Sequence, residues 1–125
     1  MKTNSKKYVD GFVIPIKKKD IEAYKKMAEQ GAKIWKKYGA LEYFECIGDD
    51  LKVQKGGGLG FAKLANLKPT ETVVFSWIVY KSKAHRDQVN KKVMSDPSMN
   101  NFDPSTMPFD MKRFATGGFE VLVEA

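Results

Sequence analysis

The segment Thr72-Val73-Val74-Phe75-Ser76-Trp77-Ile78-Val79-Tyr80 decides the fold of this 125-residue chain. Its β-branched and aromatic residues indicate a strand. Alternate side chains of a strand point to opposite faces. Here both sets are apolar, with Val73, Phe75, Trp77 and Val79 on one face and Val74, Ile78 and Tyr80 on the other. A strand of this composition is typical of a sheet that is covered on both sides.

Three more strands are predicted around this one, over residues 8–16, 40–47 and 112–124. Each is rich in β-branched or aromatic residues. The pair Gly117-Gly118 predicts a bulge or a bend within the last of them.

Two helices are predicted between the strands. Over residues 17–38, apolar side chains recur at spacings of three and four, which is the period of a helix with one buried face. Asp20 is the expected N-cap of this helix, and Gly39 is the expected left-handed residue that ends it. Ser82 is expected to cap a second helix, over residues 83–94.

The order β-α-β-β-α-β predicts an α+β fold with one four-stranded antiparallel sheet and two helices on one face. The length fits a single domain over residues 1–125, with 1–7 flexible. Two helices cover only one face of the sheet, and the other would expose more apolar surface than a monomer usually does. We therefore expect a homodimer that packs sheet to sheet.

The net charge of +7 comes almost wholly from lysine, because Arg86 and Arg113 are the only arginines. Arginine is the residue suited to specific phosphate and base contacts, whereas surface lysine favours solubility. A basic, RNA-binding protein is the alternative function.

The remaining features concern location and cofactors. No apolar run is long enough to span a membrane, and no signal peptide is recognised. The single cysteine, Cys46, is expected to be a buried, inert side chain in a cytoplasmic protein. Neither a metal-ligand spacing nor a phosphate-binding glycine motif is found, so we expect no metal and no cofactor. Apolar side chains in the proline-punctuated segment 98–111 indicate an ordered loop: Met99, Phe102, Met107 and Phe109.

Several blocks of sequence resemble the bacterial DUF1428 (YbaA-like) family, and the resemblance covers residues 8–123. It implies a ferredoxin-like fold of the dimeric α/β-barrel superfamily, which includes cofactor-independent monooxygenases, isomerases, haem proteins and ligand-binding modules. Fold does not fix function among them, so a monooxygenase-like or isomerase-like enzyme and a non-catalytic ligand-binding protein both stay open. The blocks are Tyr8-Val9-Asp10-Gly11-Phe12, Gly39-Ala40-Leu41-Glu42-Tyr43, Glu71 to Tyr80, Lys83-Ala84-His85-Arg86-Asp87, Met107-Pro108-Phe109-Asp110 and Gly117-Gly118-Phe119-Glu120-Val121.

His85 and Glu42 are the candidate catalytic residues. His85 is the only histidine and lies in the first turn of the second helix, where the helix dipole favours the neutral imidazole of a general base. The alternatives are an axial haem ligand, which the superfamily resemblance allows, and a polar residue near a helix cap. Glu42 and Glu45 are three apart on one strand, so they face opposite sides of the sheet and do not form an acid/base pair.

A pocket between the sheet and the helices is the expected binding site. There a carboxylate and Arg113 would bind a small polar or aromatic ligand, since ionisable groups on buried strands need partners or have a function. The alternatives are structural ion pairs and core aromatics. The candidate ligand-binding residues are Asp10, Tyr43, Glu45, Trp77 and Arg113.

Overall fold

The computed structural model describes residues 1–101 and 103–125, so Phe102 lies outside the described residues. Within these described residues, six strands and three α-helices follow one another. They are β1 (Lys2–Thr3), β2 (Tyr8–Lys17), α1 (Ile21–Lys37), β3 (Glu42–Ile47), α2 (Phe61–Leu64), β4 (Glu71–Tyr80), α3 (Lys83–Met94), β5 (Ala115–Glu120) and β6 (Val123–Glu124).

The main sheet has the strand order β3-β4-β2-β5, and every neighbouring pair is antiparallel. The central pair, β2 and β4, runs in register from Tyr8 opposite Tyr80 to Lys17 opposite Glu71. This is the ferredoxin-like α+β arrangement. The predicted four-stranded antiparallel sheet is confirmed.

The long helices α1 and α3 cover one face of this sheet. Tyr24 and Ala28 of α1 pack with Ile14, Ile16 and Val74 in one buried cluster. Val89 and Val93 of α3 pack with Ala40, Ile78 and Tyr80 in another. The sheet face that these clusters occupy is called the helix-facing side below, and the other is called the open face.

The two sequence signals at helix ends are confirmed. Gly39 has a φ of +111°, and its N–H donates to the carbonyl of Lys36 while the N–H of Ala40 reaches back to Trp35, as in a Schellman motif. The hydroxyl of Ser82 accepts a hydrogen bond from the backbone N–H of His85 at 3.0 Å.

Asp20 occupies the predicted N-cap position of α1, but its side chain makes no capping bond, since a 3₁₀ turn over Lys18–Asp20 leads into the helix. The predicted bulge is absent. β5 pairs with β2 without an extra residue at Gly117 or Gly118. A side chain at Gly118 would collide with the ring of Tyr8, so this glycine allows a close approach of the ring.

The last strand also differs from the prediction. The last strand is interrupted, because a 3₁₀ turn over Met111–Arg113 precedes β5 and two residues separate β5 from β6. Residues 1–7, expected to be flexible, include β1, which pairs with β6. Lys7 adds an ion pair to Glu124 at 2.7 Å.

The open face carries an aromatic cluster that α1 and α3 do not cover, and Phe61 of α2 packs against one of its rings, Phe75, with centroids 5.7 Å apart. Trp77 stacks on Phe44 with ring centroids 5.1 Å apart, and Phe75 lies 5.5 Å from Trp77. Phe44 is 48% exposed, Phe75 45% and Phe119 59%. Cys46, expected to be buried, is exposed on the same face because it lies opposite Phe75.

Candidate functional site: a cleft between the helices and the sheet

A cavity of about 850 Å³ lies between the helix-facing side of the sheet, the helices α1 and α3, and the segment that follows α3. This volume is within the range of small-molecule sites. Central strands form its floor, where Ser76 of β4 is a small residue among large ones. Because Ser76 has so short a side chain, it leaves room above the middle of the sheet.

One polar group of the cavity is the carboxylate of Glu45, held between two tyrosines. Tyr24 donates to Oε1 at 2.7 Å and Tyr43 donates to Oε2 at 2.8 Å. Burial and the neighbouring carboxylate raise the pKa of both tyrosines well above the usual 10, so both stay protonated and act as donors. The carboxylate is therefore fixed in position, with lone pairs left for a further donor.

The position of Tyr43 depends on a glycine in the middle of α1. A side-chain carbon at Gly31 would stand 2.8 Å from the Tyr43 hydroxyl. Glycine weakens a helix interior, and here its missing side chain makes room for the tyrosine. The indole of Trp35 packs against the same ring, with centroids 6.3 Å apart.

The other polar group is an ion pair between β2 and α3. Arg86 donates from Nη1 to Oδ1 of Asp10 at 2.8 Å, and its guanidinium lies 4.8 Å from the ring centroid of Tyr8. Burial alone would lower the pKa of Arg86, but hydrogen bonds to Asp87 and Asp10 raise it. Asp10 is only 7% exposed, and the ion pair with Arg86 balances its charge inside the fold.

Asn90 extends this group across the cleft. Its Oδ1 accepts from Trp35 Nε1 at 3.1 Å and from the Tyr80 hydroxyl at 3.2 Å. Its amide points back toward Asp10, at 3.5 Å. These bonds join α1, α3 and two strands, and they fix the polar side of the cavity.

The walls of the cavity are apolar and rich in methionine. Five of the six methionines of the chain line it, together with Phe109 and Phe114, which stack at 5.6 Å. Methionine is flexible and fills irregular spaces. The five are Met27, Met94, Met99, Met107 and Met111.

The charged side chains that line the cavity are Asp10, Glu45 and Arg86, which together carry a net charge of −1. The whole chain carries +7. The exposed lysines of α1 point away from the cavity, as Lys25, Lys26 and Lys33 show. The cavity is thus locally negative within a positive protein.

The structure brings three of the candidate binding residues together at this cavity: Asp10, Tyr43 and Glu45. Glu42 and Trp77 do not join them. Glu42 lies opposite Val79 and Trp77 lies opposite Phe44, so both belong to the open face. As predicted, Glu42 and Glu45 face opposite sides of the sheet.

Arg113 is engaged outside the cavity. Its guanidinium binds both carboxylate oxygens of Glu71, at 2.6 and 3.0 Å, and also donates to the carbonyls of Ala65 and Asn66. Such a bidentate pair fixes both partners. It ties the turn before β4 to the segment before β5. The arginine of the cleft is Arg86 instead.

His85 lies at the turn between β4 and α3 and is not among the residues that line the cavity. Its Nδ1 accepts a hydrogen bond from the backbone N–H of Lys81 at 3.0 Å, and its ring packs against Tyr80. Burial, with the charges of Lys81 and Lys92, lowers its pKa. The imidazole therefore stays neutral and holds the turn.

The sequence did not identify three residues that bind the carboxylates of the cavity: Tyr24, Arg86 and Asn90. Arg86, Asn90 and Met94 are each four residues apart on α3, so the spacing alone places them on one helix face. This spacing can be seen in the sequence, but it does not identify a binding site until the fold places Asp10 of β2 beside Arg86.

The topology and the cavity define the chain as a ferredoxin-like α+β protein with a cavity between its helices and its sheet. It belongs to the family described as "Protein of unknown function (DUF1428)", whose model matches residues 7–111. The chain is 45% identical over 118 residues to YbaA of Escherichia coli K12, a protein named as uncharacterised, covering 94% of this chain and 98% of YbaA. The YbaA protein of Shigella flexneri matches to the same extent.

A solved structure has the same fold. It is a dimeric ferredoxin-like protein from an uncultured marine organism, with a TM-score of 0.57 and 18% identity, covering 95% of this chain and 98% of its own. The likeness confirms the ferredoxin-like fold.

The described residues show neither a metal-ligand cluster nor a membrane-spanning helix. Within 1–101 and 103–125, no three histidine, cysteine, aspartate or glutamate side chains converge as metal ligands would. Over the same part of the chain, no helix has the length and hydropathy of a membrane span.

Proposed function

We propose that this protein binds a small, mainly apolar molecule in the cleft between its helices and its sheet. The observation that carries the proposal is the 850 Å³ cavity, whose methionine and aromatic walls surround the fixed carboxylate of Glu45. Apolar walls with a few convergent polar groups are the usual composition of a ligand site. The walls would supply affinity and the polar groups would orient the ligand.

Binding without catalysis is the function class that the geometry favours. A catalytic function would need the candidate catalytic residues His85 and Glu42 in the cavity, and neither lines it. The tyrosine hydroxyls that do line it are held protonated on Glu45. The RNA-binding alternative stays a prediction from net charge.

We further propose that two copies pair through their open faces. The aromatic cluster of Phe44, Phe75 and Trp77 is large for a monomer surface. A second copy of the sheet offers a matching apolar surface, and the marine ferredoxin-like protein is described as dimeric. Pairing in this way would leave the helix-facing cavity of each copy unobstructed.

The ligand site is tested with N-phenyl-1-naphthylamine, a neutral probe that fluoresces in apolar surroundings. We expect saturable binding to the native chain and a loss of at least tenfold in affinity for Ser76→Phe, which places a ring on the cavity floor. Gln88→Phe adds the same ring on the exposed surface of α3 and serves as the control. Equal affinity of Ser76→Phe and Gln88→Phe, with both folded by circular dichroism, would refute the site.

The dimer is tested by sedimentation equilibrium at about 10 μM chain, a concentration at which standard-size interfaces are occupied. We expect twice the chain mass for the native protein. Phe44→Glu buries a charge in the interface and should give the mass of one chain. Gln88→Glu, on the helix side, should stay dimeric. A monomeric native protein would exclude the pairing.

A further inference from the structure

We infer that the ligand of the cleft is an organic cation, with an ammonium group placed at Glu45 and an apolar body along the methionine wall. The inference rests on the proposed small-molecule site and adds the charge of its ligand. The carboxylate, its partners and the surrounding rings each support a cation.

The carboxylate of Glu45 has hydrogen bonds but no counter-ion. Within the part of the chain that the structure describes, its partners are the hydroxyls of Tyr24 and Tyr43, and no lysine or arginine nitrogen lies within 4.0 Å of it. A carboxylate in a mainly apolar site is stabilised most by a positive partner. A ligand ammonium supplies that charge and the donors for the remaining lone pairs.

The positive side chain of the cavity is already engaged. Arg86 binds Asp10 from Nη1 and Asp87 from Nε, so two carboxylates share one guanidinium. An anionic ligand would compete with both carboxylates, and it would also meet the charge of Glu45. The arrangement disfavours anions as clearly as it favours cations.

The two tyrosines that bind Glu45 each pack against a further aromatic ring. Tyr43 lies against Trp35 with centroids 6.3 Å apart, and Tyr24 and Phe109 form a T-shaped pair with centroids 5.9 Å apart. The faces of such rings attract ammonium groups. A carboxylate among aromatic rings is therefore a site suited to an alkylammonium head.

The positive net charge of the chain cannot itself account for a preference for cations. At +7, the protein repels cations at long range. At 0.15 M salt this repulsion is screened beyond about 8 Å, whereas contacts within a cavity are screened much less. A preference for cations would thus come from the cavity and not from the overall charge.

The test compares three ligands of nearly equal shape by titration calorimetry at 0.15 M salt: 2-naphthylmethylamine, 2-naphthylmethanol and 2-naphthoate. We expect the amine to bind about tenfold more tightly than the alcohol. Both can donate a hydrogen bond to Glu45, but only the ammonium also carries the opposite charge, and a tenfold difference corresponds to about 1.4 kcal/mol. Naphthoate should bind most weakly. Glu45→Gln should bring the amine to parity with the alcohol, whose affinity should change little.

Glu42→Gln is the matched control, since it makes the same change on the same strand but on the open face. It should leave the preference for the amine intact. Equal affinities for amine and alcohol in the native protein, a preference that survives Glu45→Gln, or tighter binding of naphthoate would each overturn the cation while leaving the cleft as a ligand site. If no ligand binds and N-phenyl-1-naphthylamine also fails, the proposed site itself is excluded.

Discussion

Because Gly31 of α1 lies against the Tyr43 hydroxyl, we predict that Gly31→Ala lowers the stability of the native chain but raises it when that hydroxyl is removed. In the native chain, Gly31→Ala should destabilise the fold by about 1 kcal/mol. In a chain that carries Tyr43→Phe, the same substitution should stabilise it by about 1 kcal/mol, because alanine is the better helix former.

The magnitude follows from two distances. The new methyl group would stand 2.8 Å from the hydroxyl, whereas ordinary contact begins at 3.4 Å, so the hydroxyl must retreat by about 0.6 Å. Trp35 packs against the ring, and the hydroxyl is bound to Glu45 at 2.8 Å. A hydrogen bond to a charged group contributes about 1.5–3 kcal/mol, so disturbing it outweighs the helix gain of about 1 kcal/mol.

Tyr43→Phe removes the obstacle, since the nearest remaining ring atom is Cζ at 3.7 Å, an ordinary contact. The four chains of the cycle are compared by urea denaturation at one fixed chain concentration, because association changes apparent stability. The expected coupling between the two positions is about 2 kcal/mol. If Gly31→Ala has the same effect in both backgrounds, Gly31 is not there to make room for the tyrosine, and the reasoning is refuted.

Two further predictions concern β5 and the turn before β4. Gly118→Ala should lower the free energy of unfolding by about 2 kcal/mol, since the new side chain meets Cε2 of Tyr8 at 2.7 Å. Gly117→Ala meets only ordinary contacts at 3.7 Å and should lower it far less. Thermal unfolding compares the two variants, and equal losses of stability would contradict the close approach of the Tyr8 ring. The hydrogen bonds from Arg113 lower the pKa of Glu71 from the usual 4.5 to about 2, so its contribution is present above pH 4.5 and lost as the pH falls toward 2. Glu71→Gln should flatten the fall in unfolding free energy over that range, and an unchanged slope would count against the pair.

The order of elements could be predicted because it depends on local patterns. The helix period of α1, the cap at Ser82 and the glycine after α1 are each specified within a few residues. The alternation along β4 indicates two apolar faces, and the structure shows one under α1 and α3 and the other only partly exposed, with Phe75 exposed and Val73 buried.

The cleft was harder to predict because its partners are distant in sequence. Tyr24 and Glu45 lie on a helix and a strand, and Arg86 reaches Asp10 across 76 residues. The helix-facing side could not be assigned from β3 alone, since Phe44 and Tyr43 are both aromatic and lie on opposite faces. Arg113 was predicted to bind a ligand, but Glu71, the first residue of β4, supplies its carboxylate partner.

The methionine walls described above have a consequence for how the cleft would discriminate between molecules. Unbranched thioether chains rearrange at little cost, so they fit bodies of different outline. Glu45, in contrast, is fixed by two tyrosines that are themselves fixed by Trp35 and Phe109. Adaptable methionine walls and a fixed carboxylate would let the site accept ligands of different shapes while selecting for their charge. Its natural ligands would then form a chemical class and not a single compound.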